Sequence, residues 1–221
     1  MSKYSDTIYA LSTPPGKSAI AVIRVSGKKV LKIFKQITKK TKITPNKTNL
    51  VFLKKKDVLI DQVLVIYFKS PNSFTGEDVL EINCHGGLAV IDKIYKTLED
   101  VGARLAEPGE FTKRALLNNK IDLVKTESIS DIINAETEKQ RELAIKNISG
   151  GLSEFTTEIN NKITTNLANL ETLIDFSDED LPKNVLKKIK EQNKNIIKDI
   201  SKELKAAEAS KPIREGIRIG I

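Results

Sequence analysis

The chain changes character near Pro108, and this change limits its possible folds more than any other sequence feature. Before Pro108, runs with strand periodicity alternate with turns and with two helical stretches. After it, apolar residues recur at helical spacing, and strand signals are almost absent until residues 213–221. Mixed elements followed by helices alone predict an α+β domain followed by an all-α domain.

The first half has the pattern of a sheet covered by helices. The order of elements predicted up to Leu105 is strand, strand, helix, strand, strand, strand, helix and a short final strand. We expect a mixed or antiparallel sheet from this order. The longer strands are predicted at residues 6–12, 19–25, 50–53, 58–68 and 79–85, and the helices at 28–38 and 87–101.

The polar strand at residues 79–85 is the first candidate for a functional site. Turn-forming residues flank it, from Pro71 to Gly76 and at Gly86-Gly87. Alternation along the strand places Glu81, Asn83 and His85 on one face. Such a row can line a polar site, but this run alone favours a strand with one solvated face.

The second half is predicted to be helical. A helix starts near Pro108 and breaks at residues 118–120, and further helices follow at 123–134, 136–175 and 184–209. Gly150-Gly151 is expected to kink the helix at 136–175. The acidic run ending at Pro182 is expected to stop that helix and cap the next. Lys211-Pro212 is expected to break the last helix, with a strand starting at Ile213.

Composition excludes several classes of protein. Of the 221 residues, 39% are hydrophobic, and no apolar run approaches the roughly 20 residues of a membrane span. The N-terminus lacks the apolar stretch of a signal peptide, so we expect a cytoplasmic protein with no membrane partner. One Cys rules out an intramolecular disulfide framework, and the chain has no zinc ligand set. The net charge of +8 permits a polyanionic partner such as RNA.

One motif imitates a nucleotide site. Gly16-Lys17-Ser18 has the residues that end a phosphate-binding P-loop, but that pattern requires a glycine where this chain has Leu11. Two prolines just before Gly16 also restrict the backbone that would hold a phosphate. We therefore expect no nucleotide site here and no metal site in the chain.

Six segments of the chain form a set: residues 6–8, 19–27, 71–87, 108–115 (PGEFTKRA), 117–123 (LNNKIDL) and 174–176. Together they resemble the family of the tRNA modification GTPase MnmE, also called TrmE. They occur in the family's order and with similar spacing from near Asp6 to Ile221.

The resemblance implies a domain organisation. Residues 1–118 would form a tetrahydrofolate-binding domain that makes a homodimer, and residues 119–212 the first part of a helical domain. Residues 213–221 would begin the first strand of a Ras-like G domain, so we expect a sequence cut at that point. GTP, Mg²⁺ and K⁺ would be bound only by that missing domain.

The resemblance also implies a reaction and its cofactors. A 5-formyl- or 5,10-methylene-tetrahydrofolate would supply a one-carbon unit to C5 of the wobble uridine, U34, of certain tRNAs. The flavoprotein MnmG (GidA), which brings FAD and NADH, would be the partner in this reaction.

The family's folate positions correspond to Arg24, Glu81 and Lys120, and no residue of this chain is expected to be catalytic. A carboxylate such as Glu81 can accept hydrogen bonds from the ring N–H and exocyclic amine of a pterin. Arg24 and Lys120 can donate to the ligand's carbonyl or carboxylates. Taken singly, the residues instead favour an Arg24–Glu81 salt bridge and a solvated Lys120.

Three other functions remain open from the sequence. The chain could be a stand-alone folate-dependent protein resembling aminomethyltransferases, a dimerisation and scaffold module, or a basic RNA-binding protein. They rank in that order below the family interpretation.

The missing P-loop leads to a direct prediction. The purified 221-residue chain should neither bind nor hydrolyse GTP, because no backbone cradle for the phosphates and no Mg²⁺ ligands are recognisable in its sequence. A phosphate-release assay and a titration with a fluorescent GTP analogue test this directly. GTP turnover by the pure chain would contradict the prediction.

Overall fold

The computed structural model describes residues 5–176 and 184–216. Its contacts divide the chain into two units, 1–122 and 123–221. The first unit contains strands and helices, and the described part of the second is helical. An α+β domain followed by a helical domain was the predicted fold class, and it is confirmed.

The first unit has six strands and three helices among its described residues. These are β1 (Ile8–Leu11), β2 (Ser18–Ser26), α1 (Val30–Thr38), β3 (Thr48–Lys55), β4 (Val58–Phe68), β5 (Val79–Gly86), α2 (Leu88–Asp100), β6 (Arg104–Leu105) and α3 (Glu110–Leu117).

The six strands form one mixed sheet in the order β3-β4-β5-β2-β1-β6. β1 and β6 are parallel, and the other neighbours are antiparallel. β5, which carries the polar row, therefore lies inside the sheet between β4 and β2. Hydrogen bonds to both neighbouring strands fix its backbone, and this sets the direction in which its side chains point.

The hydrophobic core lies on one face of this sheet, against α1 and α2. Buried positions in β2 and β5 alternate with more exposed ones, which directs the buried side chains to the same side. Burying each such side chain stabilises the fold by about 1.5–3 kcal/mol. The core includes Ile23, Val25, Leu80 and Ile82 from the strands, and Ile33, Phe34, Ile94 and Leu98 from the helices.

Cys84 belongs to the same buried layer. Desolvation by this burial raises the pKa of its thiol to about 11. The thiol is therefore protonated at neutral pH and a poor nucleophile.

The opposite face of the sheet keeps large apolar side chains in solvent. Leu50 of β3 and Leu64 of β4 are directly paired. They are 56% and 44% exposed, and Phe52, two residues after Leu50, is 48% exposed. We call Leu50, Phe52 and Leu64 the apolar sheet patch.

The second unit contains four helices in its described part. They are α4 (Leu123–Ile133), α5 (Glu138–Ile148), α6 (Gly151–Asp175) and α7 (Val185–Glu215). Thr137 caps α5, accepting a hydrogen bond from the backbone N–H of Gln140 at 3.3 Å, and the Gln140 side chain closes the capping box.

Two predictions about these helices are wrong. Gly150-Gly151 does not kink one long helix but separates α5 from α6, because Gly150 adopts a left-handed conformation with φ of 108°. Pro212 does not break α7, because it lies near the helix end and the helix continues to Glu215. The backbone N–H of Gly216 donates to the carbonyl of Pro212 at 3.0 Å, which preserves the last turn.

The strand predicted from Ile213 therefore does not start there, since residues 213–215 belong to α7. Residues 217–221 of that predicted strand lie outside the described residues, as does Pro182. Among the residues that are described, no helix combines the length and apolar character needed to cross a membrane.

Gly27 is a position where the fold requires glycine. It has φ of 135°, and an added Cβ would lie 2.7 Å from the carbonyl oxygen of Asp6 and 2.8 Å from Cα of Thr7. Gly16 has a similar φ of 141°, but a Cβ added there would have no neighbour within 4 Å. A residue with a side chain would therefore be strained at both positions, but only at Gly27 would its Cβ also collide with neighbouring backbone atoms.

We therefore predict that Gly27→Ala lowers the free energy of unfolding more than Gly16→Ala, by about 1–3 kcal/mol. Both variants suffer the cost of a positive φ, so their difference isolates the collision with the backbone at Asp6 and Thr7. Urea denaturation followed by circular dichroism measures it. Equal stability of the two variants would contradict this explanation.

Candidate functional site

Arg24 and Glu81 face each other across β2 and β5. They are directly paired in the strand register. Nη2 of Arg24 donates to Oε1 of Glu81 at 2.7 Å, and Nε donates to the same oxygen at 3.0 Å. Their side chains are 29% and 21% exposed, so solvent and ligands can reach the pair.

The structure therefore contains the Arg24–Glu81 salt bridge that the residues favour when taken singly. Both of these hydrogen bonds from Arg24 go to Oε1. Among the described residues, none donates a hydrogen bond to Oε2 of Glu81. One carboxylate oxygen of the pair thus remains available to accept further hydrogen bonds.

Phe74 lies beside this pair. Its ring centroid is 5.8 Å from Cζ of Arg24, which is a cation–π distance. The ring is 37% exposed although phenylalanine is usually buried. An aromatic surface is thus presented to solvent next to an ion pair, an arrangement suited to a planar polar ligand.

Lys120 lies on another side of the loop that carries Phe74. A Cβ added at Gly76 would lie 3.0 Å from Cγ of Lys120, so the lysine stem packs against this glycine. Asn118 donates from Nδ2 to the carbonyl of Thr75 at 2.7 Å, which fixes the end of α3 to the same loop. The structure therefore joins Arg24 and Glu81 directly, and brings Lys120 to the loop beside them.

A buried ionic network holds this loop. Arg114 of α3 is fully buried, and its Nη1 donates to Oε2 of Glu77 at 3.1 Å. Ser26 donates to the same Oε2 at 2.8 Å and shares a hydrogen bond of 2.7 Å with Thr75. Because Glu77 and Thr75 flank Gly76, these bonds fix the backbone next to Phe74.

The network continues to the start of α3. Nη2 of Arg114 donates to Oε1 of Glu110 at 2.8 Å and to Oδ1 of Asp6 at 2.9 Å. Arg104 binds both oxygens of Glu110, at 2.6 and 2.8 Å. This hydrogen bonding by Arg104, assisted by Arg114, lowers the pKa of Glu110 from 4.5 to about 2.

Sequence reasoning missed Phe74, Glu77, Glu110 and Arg114. Glu110 and Arg114 stand four residues apart in a predicted helix, a spacing that signals an ion pair. That signal could have been read, but pattern alone does not reveal that the pair is buried or that Glu77 joins it. Phe74 gave no signal beyond its place in a turn-rich stretch.

His85 pairs with Asp61 of the neighbouring strand. Its ring Nδ1 donates to Oδ1 of Asp61 at 2.7 Å, and its backbone N–H donates to Oδ2 at 2.9 Å. The side chain is 71% exposed. This pairing links β5 to β4.

A cavity in the second unit is too small to be an alternative ligand site. It lies between α4 and α5 and has a volume of about 70 Å³. Pockets for cofactors typically have a volume of about 300–1,000 Å³. This cavity could hold only a few water molecules.

Comparison with known families covers nearly the whole chain. Residues 7–120 match the family described as GTP-binding protein TrmE N-terminus. Residues 123–218 match the family described as MnmE helical domain. The two matches meet close to the boundary between the two units.

Individual relatives agree with these matches. The chain is 42% identical to tRNA modification GTPase MnmE of Clostridioides difficile over 219 residues, covering 96% of this chain and 48% of the relative. It is 43% identical to the protein of that name from Pelagibacter ubique, covering 97% and 49%. For Pseudothermotoga lettingae the identity is 44%, covering 98% and 48%. The chain thus spans about half the length of the curated relatives it matches.

The low pKa of Glu110 predicts a specific dependence of stability on pH. Because the pKa is lower in the folded chain, its contribution is complete above about pH 4.5 and is lost as the pH falls towards 2. Glu110→Gln should remove this contribution, about 3 kcal/mol for a shift of this size. Unfolding by urea at pH 7, 4 and 2.5 should therefore show a flatter acid limb for the variant.

Asp92→Asn provides the matched control. Asp92 accepts a hydrogen bond from Lys96 at 2.8 Å, but both side chains are exposed. Exposed ion pairs contribute little to stability. If the two variants have the same acid limb, the network around Arg114 does not hold Glu110 as described.

Proposed function

The chain belongs to the MnmE (TrmE) family of tRNA modification GTPases, and we propose that it provides the part that binds a one-carbon tetrahydrofolate. The observation that carries this proposal is the partly exposed Arg24–Glu81 pair, in which Oε2 of Glu81 remains available. It lies beside the exposed ring of Phe74. Folate presents N–H donors and a flat ring in one molecule, which fits this combination.

Glu81 is the group proposed to recognise the pterin. The ring N–H and the exocyclic amine can donate to Oε2, which keeps both lone pairs while Arg24 holds Oε1. Arg24 orients the carboxylate by donating two hydrogen bonds to Oε1. Hydrogen bonds to an ionised acceptor are about twice as strong as neutral ones.

Phe74 and Lys120 are proposed to complete the site. The exposed ring of Phe74 can stack on the pterin or on the benzoyl ring of folate. Lys120 is exposed, and its stem is held against Gly76, so its ammonium group can reach towards the glutamate tail. The bound folate would supply the one-carbon unit, and these residues would hold and orient it.

The apolar sheet patch supports the proposed homodimer. Leu64 pairs with Asn83 in the register, and Asn83 is two residues from Glu81 on the same sheet face. Burying Leu50, Phe52 and Leu64 against a second copy would remove apolar surface from water next to the folate site. We therefore propose that folate binding and dimerisation are coupled.

The complete reaction is proposed to involve a G domain outside these residues, the flavoprotein MnmG and tRNA. The relatives are named tRNA modification GTPases, and they are about twice as long as this chain. GTP, Mg²⁺ and K⁺ would be bound by that further domain. The proposed product is a tRNA modified at C5 of the wobble uridine.

Calorimetric titration of the chain with 5-formyltetrahydrofolate tests the folate site. Glu81→Gln should weaken binding about 10- to 100-fold, because a charge-assisted hydrogen bond contributes roughly 1.5–3 kcal/mol. Asn83→Ala is the matched control on the same strand face and should bind within about twofold of the parent chain. Equal affinities for the Glu81 variant and its parent would remove Glu81 from the site.

Two further outcomes decide between the proposals. If the folded parent chain binds no folate, a scaffold role becomes the better interpretation. If folate binds but its affinity is independent of protein concentration across the dimerisation range, then coupling to the dimer is wrong. Sedimentation equilibrium on the same samples supplies that range.

A further inference from the structure

Six lysines form a single row along α7. They recur every three or four residues over five turns, so at about 100° per residue they share one side of the helix. All six are exposed, and the row is about 27 Å long at 1.5 Å per residue. This lysine face consists of Lys187, Lys190, Lys194, Lys198, Lys202 and Lys205.

The packing of α7 directs this face outwards. Ile189 and Ile196 are only 4% and 5% exposed, and by helical phase they lie on the side opposite the lysines. Asn193 accepts a hydrogen bond of 2.8 Å from Asn166 of α6. The helix is therefore anchored within the second unit by its other side.

The charge on this face is poorly compensated. In the described part of the chain, none of the six lysines lies within 4.0 Å of a carboxylate. Lys162 of α6, by contrast, binds Glu158 one turn away at 2.7 Å. Of the acidic residues of α7, only Glu191 lies within the row by helical phase, near its start.

The row is unfavourable for the helix itself. Lys190, Lys194, Lys198 and Lys202 form three successive pairs at a spacing of four residues. Each like-charged pair of this kind destabilises a helix by roughly 0.2–0.5 kcal/mol. Helix stability therefore does not explain the arrangement, whereas a bound polyanion would.

The chemistry of the row favours the phosphate backbone of RNA. Lysine is a point charge that neutralises phosphates without reading bases. Between the lysines stand Glu191, Asn195 and Ser201, so the row contains no aromatic ring for base stacking. Ile197 and Leu204 are exposed at one border of the row, which is why the test includes lipid vesicles. The relatives carry tRNA modification in their names, which makes RNA the matching polyanion.

We infer that the lysine face of α7 is an electrostatic docking surface for the tRNA backbone, independent of sequence. It rests on the proposed tRNA substrate, but not on the folate site. It would engage several consecutive phosphates along its length and release their counterions. The folate site would then give chemical specificity, while this face would add affinity for any RNA of suitable shape.

The test is the salt dependence of binding to a fluorescein-labelled, unmodified tRNA transcript. Replacing all six lysines by Gln should lower affinity at least tenfold at 100 mM salt. The slope of log K against log salt should fall by about 4, since each neutralised phosphate contributes roughly 0.7–0.9. Gln is a good helix former, so circular dichroism should show α7 retained.

A variant with the same change in net charge is the control. It replaces six exposed lysines of the first unit by Gln, at Lys17, Lys28, Lys32, Lys35, Lys42 and Lys47. This variant should keep most of the affinity and of the slope. If both variants lose affinity equally, only overall charge matters and the inference is wrong.

Other outcomes are equally decisive. The inference is wrong if the parent chain shows no salt-sensitive binding of tRNA. It is also wrong if the parent chain binds phosphatidylserine vesicles in place of tRNA. If the six-site variant loses helix, the triple variant of Lys190, Lys194 and Lys198 should still lose about half the slope. Folate titration of each variant should match the parent, which separates this inference from the proposed folate site.

Discussion

The buried guanidinium of Arg114 is the interaction on which the first unit depends. Its side chain is completely excluded from solvent, and it binds Glu77, Glu110 and Asp6. Burying a charge is costly unless every donor finds a partner, and removing one partner of a buried pair typically costs about 3–5 kcal/mol. Arg114 thus joins Asp6, the loop before β5 and α3, which are distant in sequence.

That arrangement determines where the candidate site can lie. Glu77 is fixed by Arg114, and the next residues lead directly into β5, which carries Glu81. On the other side of Glu77, the loop presents Phe74 to Arg24 and receives the stem of Lys120 at Gly76. The polar groups proposed for folate binding are therefore supported by strands and by a buried network rather than by a mobile loop.

Period and propensity were sufficient to predict the sheet and most helices, because β2, β3, β4 and β5 bury alternate residues on the side of the sheet that carries the core. The Arg24–Glu81 salt bridge was the interpretation that the two residues favoured when taken singly, but that their strands are neighbours came only from the structure. Burial could not be predicted from the pattern. Arg114 and Glu110 have the spacing of an ordinary surface ion pair on a helix, and only the structure shows that they are buried in a network. Local backbone conformation could not be predicted either. Gly150 adopts a left-handed conformation and ends a helix, whereas Pro212 lies in the last turn of α7 and does not end it.

Because the Arg24–Glu81 pair is partly exposed, the strength of its hydrogen bonds depends on what covers it. In contact with water, such a pair contributes little to stability, because solvent screens it and both charges are well hydrated. Covering it with a flat ligand or a second sheet face lowers the local dielectric constant and strengthens each hydrogen bond to Oε2 of Glu81. The apolar sheet patch beside it makes such a covering favourable for hydrophobic reasons alone. Ligand recognition and association of two copies would then reinforce each other through the same surface, without any conformational change in the sheet.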